Sequence, residues 1–299
     1  MPVLIPLKLF IQLQLTSKKM RIFKFICVFT LFTLINLKVS LCFAQGSLAA
    51  SPARLFYTGA AGQAVVQTVR LSNTGASLMT LKASLRDWER DSLGVKVYYA
   101  AGTLGRSNAG WLRLNADVVE LAPGQEKTVT VTMNIPANAS PQQVKNSMLF
   151  FTQINEQNKQ AETNKKQKQV AISVRFEVGI HVYFTPPGLS KKELNFVAFN
   201  DRGKVTTTEG RVKQLALTIK NTGEVTAEAQ LRIEVTDAAT GEEFKFPDRP
   251  IAMLPGANQV IYINVPAKLA GRSLVAVAML DSGAAIDLKV AEKAFKYEL

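Results

Sequence analysis

Residues 170–184 read V-A-I-S-V-R-F-E-V-G-I-H-V-Y-F. Every even position is apolar: Val170, Ile172, Val174, Phe176, Val178, Ile180, Val182 and Phe184. The odd positions hold Ala171, Ser173, Arg175, Glu177, Gly179, His181 and Tyr183. Successive side chains of a strand point to opposite faces. The alternation therefore predicts one strand from Val170 to Phe184, about twice the usual strand length. Its apolar face must be covered. If part of it lies open at a sheet edge, a second chain can pair with it.

The flanks of this segment differ sharply from it. Thr185-Pro186-Pro187-Gly188 follows, and paired prolines cannot donate to a sheet ladder. The expected domain break falls there, giving an N-terminal domain over 45–186 and a C-terminal domain over 187–299. Before the segment, Asn155 to Gln169 reads N-E-Q-N-K-Q-A-E-T-N-K-K-Q-K-Q, with no large apolar residue. Such a stretch cannot bury enough surface to order itself, so a mobile loop is expected between a strand at Met148–Ile154 and the long strand.

Short β-branched runs separated by turn residues fill the rest. Ala64–Leu71, Met79–Leu85, Val129–Met133, Leu215–Ile219, Ala229–Val235 and Gln259–Val265 are expected strands. No helical period competes. There is also an internal repeat. Val69-Arg70-Leu71-Ser72-Asn73-Thr74-Gly75 resembles Leu217-Thr218-Ile219-Lys220-Asn221-Thr222-Gly223. Leu121-Ala122-Pro123-Gly124 resembles Met253-Leu254-Pro255-Gly256, and each leads into a strand. The expected fold class is all-β: two immunoglobulin-like β-sandwich domains of the same type.

Residues 1–44 read as a secretory signal. Met20-Arg21-Ile22-Phe23-Lys24 is basic, Phe25–Leu37 is an apolar core, and Cys42-Phe43-Ala44 suits cleavage after Ala44. The apolar run is shorter than the roughly 20 residues of a membrane span. No integral membrane segment is expected in the mature chain. Both cysteines, Cys27 and Cys42, lie in this segment, so disulfides and thiol chemistry are excluded after it. The formal charge of +13 includes six lysines and arginines of residues 1–44, which carry no acid; 13 less 6 leaves +7. The remaining basic residues are dispersed apart from Lys165-Lys166-Gln167-Lys168, and no nucleic-acid-binding pattern appears. Nucleic acid is not an expected partner.

Enzyme motifs are missing. His181 is the single histidine, which excludes His-cluster metal sites, and no G-x-S-x-G, Walker or G-x-G-x-x-G pattern is present. A carboxylate pair has no local signature and is not tested by motif. The expectation is a protein that is not an enzyme, with no metal and no cofactor. Recognition is what remains. Arg54 stands just before the first strands, and His181 late on the long strand's polar face. Two such groups at one cleft could hold a carboxylate, because a guanidinium binds it bidentately. From spacing alone the plain readings are a solvated arginine and a half-buried structural imidazole.

The sequence resembles the PapD-like periplasmic pilus and fimbrial assembly chaperones. The segments that carry the resemblance are S-P-A-R-L-F-Y-T-G (51–59), V-R-L-S-N-T-G (69–75), V-V-E-L-A-P-G-Q-E-K-T-V-T-V (118–131), N-S-M-L-F-F (146–151) and residues 170–187, in the family's order. I-K-N-T-G-E (219–224) and D-S-G-A (281–284) match more loosely. The resemblance implies two immunoglobulin-like sandwiches in a boomerang, acting in the periplasm. It implies pilin-like subunits as partners, an outer-membrane usher as a further one, and donation of an edge strand to the incomplete subunit. Carried over, Ile172, Val174 and Phe176 are the inserted anchors, flanked by Val170 and Val178. Arg54 and His181 grip the subunit's C-terminus. His181 stands where the family has a lysine, and of the family's interdomain ion network only Asp281 matches, Asn146 and Thr185 replacing the others. A non-chaperone reading also stays open on the residues: an exported structural or adhesive protein of two immunoglobulin-like domains, or a carbohydrate-binding module using Trp88, Tyr98, Tyr99 or Trp111.

Overall fold

The structure is a computed structural model that describes residues 48–155, 175–208 and 210–298. The expected signal segment, almost all of the expected mobile loop, and Val170, Ile172 and Val174 lie outside the described residues. No helix among the described residues is long and apolar enough to cross a membrane.

Among the described residues, ten strands precede the proline pair: β1 (Leu48–Ser51), β2 (Arg54–Tyr57), β3 (Ala64–Asn73), β4 (Met79–Arg90), β5 (Lys96–Ala100), β6 (Leu112–Leu114), β7 (Val118–Leu121), β8 (Glu126–Asn134), β9 (Lys145–Gln153) and β10 (Glu177–Phe184). Eight follow it: β11 (Leu194–Thr207), β12 (Gly210–Asn221), β13 (Ala227–Asp237), β14 (Glu243–Lys245), β15 (Arg249–Met253), β16 (Asn258–Val265), β17 (Ser273–Asp281) and β18 (Lys289–Lys296). The first group makes two sheets, β1-β3-β8-β6 and β2-β10-β9-β4-β5 with β7 beside β4. The second makes β11-β12-β16 and β14-β13-β17-β18 with β15 beside β13. The two-sandwich expectation is met. The observed strands outrun the expected ones because polar residues at their ends still pair. Met79–Leu85, for instance, extends to Arg90.

Alternation explains the cores. In β10 the even residues Ile180, Val182 and Phe184 are buried beside Leu55, Leu71, Leu81, Val131 and Phe151. Leu217, Ile219, Leu231, Ile263 and Ala276 do the same in the second sandwich. Each of these side chains larger than alanine contributes roughly 1.5–3 kcal/mol by leaving water. Tyr57 keeps its ring in the first core and satisfies its hydroxyl by donating to the carbonyl of Val131 at 2.8 Å.

The sequence repeat has a physical cause. Asn73 is fully buried, and its Nδ2 donates to the carbonyls of Ser77 (2.8 Å) and Leu121 (2.9 Å). Its Oδ1 accepts from the Gly75 N–H at 2.9 Å. Gly124 N–H donates to the Asn73 carbonyl at 2.8 Å. Asn221 repeats this, with Nδ2 to Val225 (3.0 Å) and Met253 (2.9 Å), and Oδ1 from Gly223 N–H (2.9 Å). Gly256 N–H closes the set on the Asn221 carbonyl at 2.9 Å. In both sandwiches one side-chain amide thus plugs the gap between an Asn-Thr-Gly turn and a Pro-Gly turn. Gly124 and Gly256 have φ of 71° and 74°, which only glycine adopts without strain.

The sandwiches are joined by more than the Pro186-Pro187 connection. Val260 N–H donates to the Ser92 carbonyl at 2.6 Å, and the Arg106 guanidinium donates to the Pro255 carbonyl. Leu254 packs on a small apolar cluster of Trp88, Met148, Phe150 and Tyr183. A cleft opens beside these contacts.

Candidate functional site

The strand predicted from Val170 is observed from Glu177. Two unequal neighbours flank it. Along one side β9 pairs with it throughout, from Glu177↔Thr152 to Phe184↔Lys145. Along the other, β2 runs parallel to it only from His181↔Arg54 to Phe184↔Tyr57. Among the described residues, no strand pairs with that second side over Glu177–Ile180. The hydrogen-bond phase tells which groups are exposed there. Gln153 N–H donates to the Phe176 carbonyl at 2.8 Å, so even residues bond to β9. His181 N–H donates to the Ala53 carbonyl at 3.1 Å, so odd residues face the other way. The main-chain groups of Glu177 and Gly179 therefore point at the open side.

Phe176 and Val178 are half-buried and pack on the rim of the first core. The strand's other face is less one-sided than its sequence suggests. Tyr183 is buried with Trp88, Met148 and Phe150. A Cβ on Gly179 would stand 2.9 Å from Phe150 Cε1, which explains a glycine in mid-strand. Glu177 accepts from Thr152 Oγ1 at 2.6 Å and pairs with Arg86 at 3.2 Å.

Where β2 joins, the strand meets the cleft. Its volume is about 560 Å³, and its walls include Arg54, Trp88, Arg90, Lys96, Arg106, His181 and Tyr183 from the first sandwich and the Thr226 and Met253–Gln259 region of the second. Arg54 and His181 are direct register partners. Arg54 also forms an ion pair with Glu228 of β13, both side chains being about half exposed. Lys96 brings its Nζ to 2.9 Å from His181 Nε2. The imidazole stands edge-on to Trp88 with ring centres 4.6 Å apart, and its Nδ1 is 3.4 Å from the Tyr183 hydroxyl.

The cations Arg54, Arg90, Lys96 and Arg106 share the cleft wall with the acids Glu89 and Asp91. Burial, then Lys96, Arg54 and Arg90, lower His181 from 6.5 to about 4. Its imidazole is neutral at pH 7. Burial, then Arg90 and Arg54, also lower Lys96 below the ordinary lysine value. Burial pushes Tyr183 up to about 12, so its hydroxyl keeps its proton. The charges that act on the neutral imidazole are the cations Lys96, Arg54 and Arg90, and among the described residues Glu228 is the carboxylate ion-paired to Arg54; the surroundings of His181 suit an anion.

Sequence reasoning paired Arg54 with His181, and the structure puts them side by side. It missed Lys96 and Arg90, which reach the cleft from a different hairpin. Asn146 is buried and donates to the Trp88 carbonyl at 2.9 Å, Thr185 N–H donates to the Tyr57 carbonyl at 2.9 Å, and Asp281 stands 3.6 Å from Arg232. Among the described residues, no hydrogen bond or ion pair links those three. Trp88 is buried, whereas Tyr98 is partly exposed against Phe150. No group of three or more histidine, cysteine or acidic residues suited to a metal occurs among the described residues.

No protein-family model matches the chain, and no curated protein aligns with it. Solved structures similar to it include several fimbrial chaperones. One is the chaperone–tip adhesion subunit pre-assembly complex CsuC–CsuE of Acinetobacter baumannii archaic chaperone-usher pili. It shows 14% identity over 82% of this chain and 97% of that one, with a TM-score of 0.45. Another is the class 5 fimbriae chaperone CfaA, at 11% identity over 83% and 98% of the two chains and a TM-score of 0.42. The YadV chaperone is similar at 11% identity over 83% and 100%, with a TM-score of 0.44.

Proposed function

We propose that the chain is a periplasmic chaperone for pilus or fimbrial subunits, which lends the open edge of β10 to an incomplete subunit and holds that subunit's C-terminus in the adjoining cleft. The observation that carries this reading is the juxtaposition of two features. The side of β10 left without a partner strand over Glu177–Ile180 runs directly into the pair Arg54–His181. An extended segment pairing along that edge gains main-chain hydrogen bonds worth about 1 kcal/mol each, and its end arrives at cations. By sequence, Val170, Ile172 and Val174 continue the alternation of Phe176 and Val178. They supply apolar anchors for the subunit's groove. The sequence resemblance to the PapD-like chaperones supports the same reading.

The test is co-expression of the full chain in a periplasm with the pilin-like subunit encoded by a genomic neighbour. A stable complex is expected on size-exclusion chromatography. Ile172→Asp and Val174→Asp should abolish it while the variant's circular dichroism stays unchanged. A complex that survives both substitutions sinks strand donation.

A further inference from the structure

The contact between Lys96 and His181 constrains the chemistry of the cleft. A lysine ammonium has only donors, so at 2.9 Å the His181 Nε2 must be the acceptor. The ring proton then sits on Nδ1, on the side of the Tyr183 hydroxyl. An imidazolium would present N–H to the ammonium and has no lone pair to offer. His181 therefore cannot be charged and hold this contact.

The acids near Lys96 are already committed. Glu89 accepts from the Tyr99 hydroxyl at 2.9 Å, and Asp91 Oδ1 accepts from the N–H groups of Leu93 and Val95 at 2.9 Å. Glu228 is paired with Arg54. Among the described residues no carboxylate lies within salt-bridge distance of Lys96. A partly desolvated ammonium with two donors to spare, on the wall of a cleft shared with Arg54, is a ligand waiting for an anion.

We propose that the second cation holding a terminal carboxylate is Lys96, supplied by β5, and that His181 is its positioning residue, a neutral acceptor that aims the ammonium into the cleft beside Arg54. The proposal rests on the reading above that the cleft takes a subunit's C-terminus. It places the second charge on β5, which β9 and β4 separate from β10 in the sheet, while the side chain still reaches His181. Arg54 keeps a role because Glu228 engages it through Nη1 in a pair exposed to water, which a second carboxylate can share or displace.

The groups facing His181 are Arg54 on β2, Trp88 and Arg90 on β4, Lys96 on β5, Tyr183 on β10 and, through Arg54, Glu228 on β13. None of these side-chain types has its ordinary value near neutrality. Binding of a carboxylate is accordingly flat through the histidine range, and weakens at alkaline pH as Lys96 loses its proton.

The test uses the purified chain and two synthetic probes. One is a peptide of alternating apolar and polar residues with a free C-terminal carboxylate; the other is the same peptide as the amide. Wild type should prefer the carboxylate by about tenfold or more, as one charge-assisted contact implies. The preference should hold from about pH 5.5 to 8, on either side of an ordinary histidine. Lys96→Met should remove it while the amide still binds, and Lys96→Met with His181→Lys should restore it. A preference that survives Lys96→Met but falls as pH rises through about 6.5 makes His181 the cation and overturns the proposal. If wild type and Arg54→Ala both treat the two probes alike, the terminus reading itself fails, and the role of Lys96 with it.

Discussion

Glu177→Pro separates strand pairing from every other use of β10. The Glu177 N–H faces the side where β2 is absent, so proline there removes no bond to β9. What the chain itself loses is the Arg86 pair, whose side chains are 41% and 35% exposed, and one exposed bond from Thr152. An exposed pair is worth about 0–1 kcal/mol. For a unit of this size that lowers Tm by no more than about 4 °C. A partner strand loses more. One main-chain bond disappears, a carbonyl on the partner is left without its donor, and the ring blocks close approach. Together these cost about 2–3 kcal/mol, or roughly 30- to 150-fold in affinity. The assay is calorimetric titration with the amide peptide, which reports pairing without the terminus contact, alongside thermal unfolding. Glu177→Ala controls for the side chain. Equal losses for Ala and Pro would show that the carboxylate matters rather than the main chain. Wild-type affinity in Glu177→Pro would refute the open-edge argument.

Asn73→Ala and Asn221→Ala should each destabilise by about 2–4 kcal/mol, since each leaves buried carbonyls without donors; urea unfolding measures this. Gly179→Ala should cost about 1–3 kcal/mol through its clash with Phe150, and Phe150→Leu in the same chain should recover part of it. His181 has a folded value of about 4, below its unfolded one, so the unfolded chain binds the extra proton between about 4 and 6.5. Stability should be complete above about pH 6.5 and decline as pH falls towards 4. His181→Gln should flatten that segment of the stability–pH curve, and an unchanged slope would assign it to other groups.

The fold was legible because its signals are local. Alternation along Val69–Leu71 or Ile180–Phe184 needs no knowledge of neighbours, and neither does the Pro186-Pro187 break. The Asn-Thr-Gly repeat was visible, but its reason was not. Asn73 bonds to Leu121, and nothing in the intervening sequence marks that carbonyl as the partner. The candidate site was half legible. Arg54 and His181 lie on strands that pair directly. Lys96 follows the β4–β5 hairpin, is 85 positions from His181, and reads in sequence as one more surface lysine. An open stretch on this strand is an expectation of its sequence; its bounds are not, because they depend on where β2 starts rather than on β10 itself.

The two Pro-Gly turns began as equivalent pieces of an internal duplication and now have unequal obligations. Pro123-Gly124 answers only to Asn73 and its own sandwich. Pro255-Gly256 answers to Asn221 and also to Arg106 across the junction, and it forms part of the cleft wall. The first turn can accept a residue more or less at local cost. The same edit in the second would re-aim one sandwich against the other and reshape the cleft. The chain therefore contains its own paired control: one motif, present twice, with the burden of assembly placed on a single copy.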